Sequence, residues 1–150
     1  MRILRPVVLS ILALAAAMPA QVGIIPSGCP SFPGFSGTGG GSPKIGNASF
    51  RISPLPPCAS GEVALDLLGV LPTVTLQLNP PIGCELGCQV VGNPVVILAG
   101  ISGSFAAPIP NNQALIGVTV WYQHGCQRPS HPTYPMCAVF NGGLSIKIMP

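Results

Sequence analysis

The chain has 150 residues, of which only 6% are charged, while 19 are glycine, 19 are proline and six are cysteine. So few charges exclude a basic nucleic-acid surface, an acidic calcium cage of the EF-hand type and a charged coiled coil. Intrinsic disorder is also disfavoured, because it requires low hydrophobicity or high net charge, and the chain is 48% hydrophobic with a formal charge of +3.

Residues 1–20 have the organisation of a secretory signal peptide. Two arginines precede an apolar stretch over 7–17, which is shorter than the ~20 residues needed to span a bilayer. We expect cleavage after Ala20, with cleavage after Ala17 as the alternative. No later stretch is long enough to cross a membrane, so we predict an exported protein, located extracellularly, at the cell surface or in the periplasm. Its formal charge of +1, from four basic and three acidic residues, implies no electrostatic partner.

Residues 21–48 show little regular pattern and contain a run of closely spaced glycines. This run is not a phosphate-binding loop, because the Gly-Lys-Ser/Thr ending of that motif is missing. We therefore predict an irregular Gly-rich N-terminal arm, tied to the rest of the domain by Cys29.

From residue 49 the sequence alternates with the two-residue period of half-buried strands. The predicted strands lie around Phe50 and Ile52 and over 73–78, 95–98, 102–109, 118–123 and 144–148. The segment 63–71 fits either a helix face or a strand, and a strand is favoured because the segment is short and Gly69 closes it.

Seven or eight short strands separated by turn residues, with no well-defined helix, are typical of an antiparallel sandwich or barrel. We predict a single antiparallel β-sandwich over 49–150, of the jelly-roll or immunoglobulin-like type. Its loops are long and rich in glycine and proline, and the 130 residues beyond the signal peptide suffice for one core only.

The cysteine content predicts three disulfides in an oxidising compartment, because an even number of cysteines follows a signal peptide. The six residues are Cys29, Cys58, Cys84, Cys88, Cys126 and Cys137. The sequence alone does not fix the connectivity, although Cys126 and Cys137, which flank a Pro-rich loop, are the simplest pair to predict. Zinc bound by His124, Cys126, His131 and Cys137 is the alternative. Their spacing matches no regular finger pattern, and we predict no metal and no cofactor.

Catalytic residues are scarce. Asp66 is the only aspartate, so a catalytic triad would have to combine it with His124 or His131, and no Gly-x-Ser-x-Gly motif marks a nucleophile. Glu62 and Asp66 would lie ~13 Å apart on one strand, too far for a glycosidase pair, and only Glu85 offers a nearer partner through folding. We predict that the protein is not an enzyme, with a small secreted hydrolase as the second alternative.

The segment 121–137 concentrates side chains suited to binding. Its candidate ligand-binding residues are Trp121, His124, Arg128, His131 and Tyr134. Rigid aromatic rings provide contact area at low entropic cost, so a constrained loop of this kind suits a glycan or a protein ligand. The alternative is that these side chains pack in the core or decorate an irregular loop.

Short motifs along the chain resemble a family. They are Gly28-Cys29-Pro30, Pro43-x-Ile45-Gly46-Asn47 leading into Phe50, Ala64-Leu65-x-Leu67-Leu68-Gly69, Gly83-Cys84-x-Leu86, Ile109-Pro110-Asn111, Leu115-Ile116-Gly117, Tyr122-Gln123 and Asn141-Gly142-Gly143-Leu144. Together they resemble the small Gly/Pro-rich β domain found at the C-terminus of large secreted proteins of some environmental Gram-negative bacteria. The resemblance covers most of 28–149.

The resemblance implies a non-catalytic surface or sorting module and carries no assigned activity. It also implies a bond between Cys29 and Cys84, which leaves Cys58 to pair with Cys88. We therefore expect a secreted, non-catalytic structural or interaction module whose partner is an extracellular protein or a glycan. A carbohydrate-binding module that uses the 121–137 loop is the first alternative.

Overall fold

The computed structural model describes residues 21–70, 74–92, 94, 96–100 and 103–150. The predicted signal peptide and parts of the strands predicted over 73–78, 95–98 and 102–109 lie outside these ranges. Within them the chain is all-β, with antiparallel sheets and three disulfides, which confirms the predicted fold class. None of the helices in these ranges has the length and apolar character needed to cross a membrane.

The described residues form eleven strands and one short 3₁₀ helix. The strands are β1 (Val22–Ile25), β2 (Gly37–Gly39), β3 (Arg51–Ser53), β4 (Val63–Val70), β5 (Thr75–Leu78), β6 (Cys88–Val91), β7 (Val96–Ala99), β8 (Phe105–Ala106), β9 (Thr119–Arg128), β10 (Cys137–Phe140) and β11 (Gly143–Lys147). The 3₁₀ helix spans Gln113–Leu115. Within the ambiguous segment 63–71, the described residues Val63–Val70 form strand β4, as predicted, and strands β6 and β10 were not predicted.

The largest sheet is built around β9, its longest strand. The strand order is β1-β11-β9-β4-β7. Strand β4 pairs with β9 from Val63 to Val70 on one side, while β11 and β10 pair with successive halves of β9 on the other. Two smaller sheets, β2-β3-β8 and β5-β6, complete the domain.

The two smaller sheets cover opposite faces of the large one. Tyr122 of β9 lies 6.1 Å from Phe105 of β8, measured between ring centroids, whereas Gln123 accepts a hydrogen bond from the backbone N–H of Val91 in β6. Strand β9 is therefore buried continuously from Trp121 to Cys126. This corrects the prediction of a half-buried strand, because a strand covered on both faces loses the alternation of exposed and buried positions.

The N-terminal segment is more regular than predicted. Strand β1 pairs with β11 in antiparallel register and forms an edge of the large sheet, and β2 pairs with β3. Backbone hydrogen bonds also join Cys29 to Phe140 and Gly28 to Gln89. The segment 21–48 thus contributes two short strands to the sheets, with irregular chain around them, and Cys29 ties it to β6 through Cys88.

The disulfides join Cys29 to Cys88, Cys58 to Cys126 and Cys84 to Cys137. The predicted bond between Cys126 and Cys137 is wrong, as are the pairs Cys29–Cys84 and Cys58–Cys88 that followed from the resemblance. Strand register explains why Cys126 does not bond to Cys137. Cys126 lies opposite Val139, so Cys137 is displaced from it by two residues, a diagonal distance too long for a disulfide.

Candidate functional site

A buried polar cluster lies at the centre of the large sheet. Asp66 of β4 is directly opposite His124 of β9, and Tyr122 projects from the same face two residues away. Oδ1 of Asp66 accepts hydrogen bonds from the Tyr122 hydroxyl at 2.5 Å and from Nδ1 of His124 at 2.8 Å. All three side chains are almost completely buried.

The cluster keeps the Tyr122 phenol protonated and orients the His124 imidazole. Burial, followed by the hydrogen bond to Asp66 and its charge, raises the pKa of Tyr122 far above its usual value, so the phenol stays protonated and donates. Because Nδ1 of His124 donates to Asp66, a neutral imidazole carries its lone pair on Nε2. That nitrogen lies 3.6 Å from the sulfur of Cys58 and 3.7 Å from the sulfur of Cys126, which are bonded to each other.

A cavity of about 390 Å³ opens beside this disulfide. Cys58 and His124 form part of its wall, together with Glu62 and the turn over 59–62. The turn is closed by a hydrogen bond from the Glu62 N–H to the Ala59 carbonyl. We call this space the first cavity.

A second cavity, of about 290 Å³, lies on the other side of the 59–62 turn. Arg128 and His131 line it, and Glu62 is shared by both cavities. Nε of Arg128 donates to Oε1 of Glu62 at 2.7 Å, while Oε2 of Glu62 accepts from the Ala59 N–H at 2.9 Å. Glu62 therefore connects the turn to the end of β9.

The 129–136 loop joins β9 to β10 and carries a stacked pair of rings. His131 and Tyr134 lie 5.9 Å apart with an interplanar angle of 6°. Nδ1 of His131 accepts from the Tyr134 N–H at 3.0 Å, which orients the imidazole. The strands at both ends of the loop are held by disulfides, Cys126 to Cys58 on β9 and Cys137 to Cys84 on β10. The loop is therefore fixed at both ends.

The structure separates the five predicted ligand-binding residues into two groups. Arg128, His131 and Tyr134 lie together at the second cavity and its loop, all half-buried. Trp121 is 0% exposed and His124 is 1% exposed. The prediction is wrong for Trp121 as a surface contact, because it lies on the face of β9 covered by β5-β6, and His124 reaches only the wall of the first cavity.

Glu62 was not among the residues predicted for this surface. Its contact with Arg128 follows from strand register, since Val63 at the start of β4 is opposite Gln127 near the end of β9. Long-range register has no signal in a single sequence, and only the opposite charges of Glu62 and Arg128 hinted at a pair.

The predicted zinc alternative does not assemble in the described residues. Cys126 and Cys137 belong to different disulfides, and Nδ1 of His131 faces the backbone of its own loop. A catalytic triad was predicted to combine Asp66 with either His124 or His131, and the structure places Asp66 beside His124. In the described chain, Nε2 of His124 contacts the sulfurs of Cys58 and Cys126. Because these sulfurs are bonded to each other, they offer no nucleophile.

Comparison of the chain with protein-family models, with curated proteins and with solved structures gives no match.

Proposed function

We propose that the chain is a secreted, non-catalytic interaction module that binds an extracellular protein or glycan through Arg128, His131 and Tyr134. The observation that carries this proposal is that His131, which is stacked on Tyr134, lines an open cavity together with the ion-paired Arg128 and Glu62. Three disulfides are typical of an oxidising, non-cytoplasmic compartment, and this supports export.

Rigidity supports a binding role for this surface. Ordering a flexible loop costs roughly 0.5–1.5 kcal/mol for each immobilised side chain. In this protein the two strands that end in the loop are already held by separate disulfides, and the Arg128 guanidinium is already paired with Glu62. A ligand therefore meets side chains that are arranged before it binds.

The non-catalytic part of the proposal is supported by the state of the histidines. His124 is held by Asp66 on one nitrogen and faces a closed disulfide on the other. His131 is held by the backbone of its loop and stacks on Tyr134. Neither arrangement presents an activated hydroxyl or thiol for a hydrolase.

A carbohydrate-binding module is the second candidate, and the ring pair favours it. Sugars bind to flat rings flanked by planar hydrogen-bonding groups, and His131 of the stacked pair lines the second cavity together with Arg128 and Glu62. The rings available for a sugar are thus His131 and Tyr134, with Trp121 excluded by its burial.

The proposal is tested by glycan-array binding together with photo-crosslinking. A benzoylphenylalanine in place of exposed Thr133, in the loop, is compared with one in place of exposed Thr38, on the β2-β3-β8 sheet. We expect saturable glycan binding, or a specific protein crosslinked to the probe at position 133 and not to the probe at position 38. Arg128→Ala and His131→Ala should abolish this glycan binding or crosslinking, and Thr38→Ala should not.

Equal crosslinking from Thr133 and Thr38, or binding unchanged in Arg128→Ala and His131→Ala, would contradict the proposed surface. Binding on the glycan array that depends on both residues would select the carbohydrate-binding candidate. Emission from Trp121, the single tryptophan, reports whether each variant keeps the native core.

A further inference from the structure

The three disulfides differ in their access to solvent. All six cysteines lie in the described part of the chain, and Cys58 alone is half-buried, whereas the other five are buried. Cys58 forms part of the wall of the first cavity, and its partner Cys126 is 0% exposed. An external thiol that enters the cavity therefore meets Cys58 and not Cys126.

We propose that Cys58–Cys126 is a thiol–disulfide exchange site that accepts an external thiol through the first cavity. This activity is independent of the ligand surface at Arg128, His131 and Tyr134. It rests on the position of His124, whose Nε2 lies 3.6 Å and 3.7 Å from the two sulfurs.

His124 is the group that moves the proton in this exchange. Its Nδ1 is held by Asp66, which in turn accepts from Tyr122, so Nε2 is directed at the disulfide. This is the arrangement in which a carboxylate orients an imidazole and stabilises its protonated form beside a thiol or hydroxyl. Asp66 is a positioning residue, because it acts on the sulfurs only through His124.

The exchange moves one proton and replaces one disulfide bond with another. The external thiol gives its proton to Nε2 of His124, and the resulting thiolate attacks the sulfur of Cys58. A new bond forms between the external sulfur and Cys58, and the Cys58–Cys126 bond breaks. The leaving sulfur of Cys126 takes the proton from His124. One external thiol is consumed, a mixed disulfide forms on Cys58, and Cys126 becomes a thiol.

The other two disulfides are poorly placed for this reaction. The carboxylate of Glu85 lies within 4.8 Å of both sulfurs of Cys29–Cys88, and its negative charge repels an approaching thiolate. In Cys84–Cys137 both residues are buried, at 7% and 0% exposed. The molecule therefore contains two internal controls for the reactivity of Cys58–Cys126.

The test is limited reduction of the native protein with glutathione, followed by acid quenching, alkylation with N-ethylmaleimide and peptide mapping. We expect glutathione on Cys58 and N-ethylmaleimide on Cys126 before any label appears on the other four cysteines. The rate of glutathione exchange at Cys58–Cys126 should exceed the rates at the other two disulfides by about tenfold or more. First labelling at either other disulfide, simultaneous labelling of all six cysteines, or glutathione on Cys126 would overturn the proposal.

A variant isolates the contribution of His124. His124→Gln should slow glutathione exchange at Cys58 by about tenfold, while exchange at Cys29–Cys88 and Cys84–Cys137 stays unchanged. An unchanged rate at Cys58 in a variant with native Trp121 emission would also overturn the proposal. If the variant does not fold, the order of labelling in the wild-type protein decides.

Discussion

Asn141 satisfies both backbone groups of His124. Its own N–H donates to the His124 carbonyl at 2.9 Å, and its side-chain Oδ1 accepts from the His124 N–H at 3.0 Å. Phe140 pairs with Gly125, and Leu144 pairs with Tyr122. Between these two pairs, the three residues 141–143 lie opposite only two residues of β9, Gln123 and His124. This is a β-bulge, and the side chain of Asn141 replaces the ladder bond that the bulge removes.

Removing that side chain should destabilise the domain strongly. Besides His124, the Asn141 amide donates to Ser36 and to the Leu55 carbonyl. Asn141→Ala leaves buried partners without hydrogen bonds, at a cost of about 1–3 kcal/mol. Urea unfolding, monitored by the fluorescence of Trp121, measures this loss in the free energy of unfolding. Asn112→Ala, which removes an exposed bond to the Ala114 N–H, is the matched control and should cost about 1 kcal/mol or less. Equal losses in the two variants would refute the bridging role of Asn141.

Tyr122 should make stability fall at alkaline pH. Burial, then the hydrogen bond and charge of Asp66, raise the pKa of Tyr122 above its usual 10, so the unfolded chain loses this proton while the folded chain keeps it. The contribution of the Tyr122 phenol to the free energy of unfolding is complete below about pH 10, and it declines above that pH by about 1.4 kcal/mol per pH unit. Urea midpoints of wild type and Tyr122→Phe from about pH 8 to pH 11 should therefore converge as pH rises. Parallel curves would show that the phenol is not held protonated by the fold.

Gly69 is required by the ring of Trp121. A Cβ at Gly69 would lie 2.5 Å from Cε2 and Nε1 of Trp121, whose side chain is fully buried. We expect Gly69→Ala to cost about 1–3 kcal/mol through overpacking and to shift the emission of Trp121. Gly39→Ala is the control, since nothing lies within 4 Å of its Cβ position, and its unfolding free energy should change little. A variant Gly69→Ala as stable as Gly39→Ala would contradict this packing.

Glu62 should matter more for binding than for stability. Its ion pair with Arg128 is partly exposed, and such pairs contribute about 0–1 kcal/mol to folding. Glu62→Gln keeps the size of the side chain but removes the charge that orients Arg128, so we expect weaker ligand binding at nearly unchanged stability. Titration of the ligand from the crosslinking or array experiment, beside a urea curve, separates the two effects. A large stability loss would assign Glu62 a purely structural role.

Local pattern predicted much of the fold. The alternation at 144–148 and the residues Val63–Val70 correspond to β11 and β4, because residues that alternate in polarity form strands wherever one face is buried. The burial of Trp121 and Gln123 does not follow from alternation. Both are buried because a second sheet covers that face of β9.

The disulfide pairs and part of the site depend on long-range register. Cys126 and Cys137 are close in sequence and lie on neighbouring strands, but they are offset diagonally and bond elsewhere. In contrast, Arg128 at the end of β9 and His131 in the loop that follows both line the second cavity, because they are only three residues apart in the chain. A single sequence therefore indicates neighbours of this local kind, whereas the partner of a residue on a distant strand depends on register.

Disulfide mapping of the unreduced protein is the deciding measurement, since the anchored loop and the contacts of His124 both depend on which cysteines are bonded. Pepsin digestion in acid, combined with cyanogen bromide cleavage at Met136, separates Cys126 from Cys137 without thiol exchange. We expect linked peptides for Cys29–Cys88, Cys58–Cys126 and Cys84–Cys137. A peptide that links Cys126 to Cys137, or Cys29 to Cys84, would be incompatible with this fold.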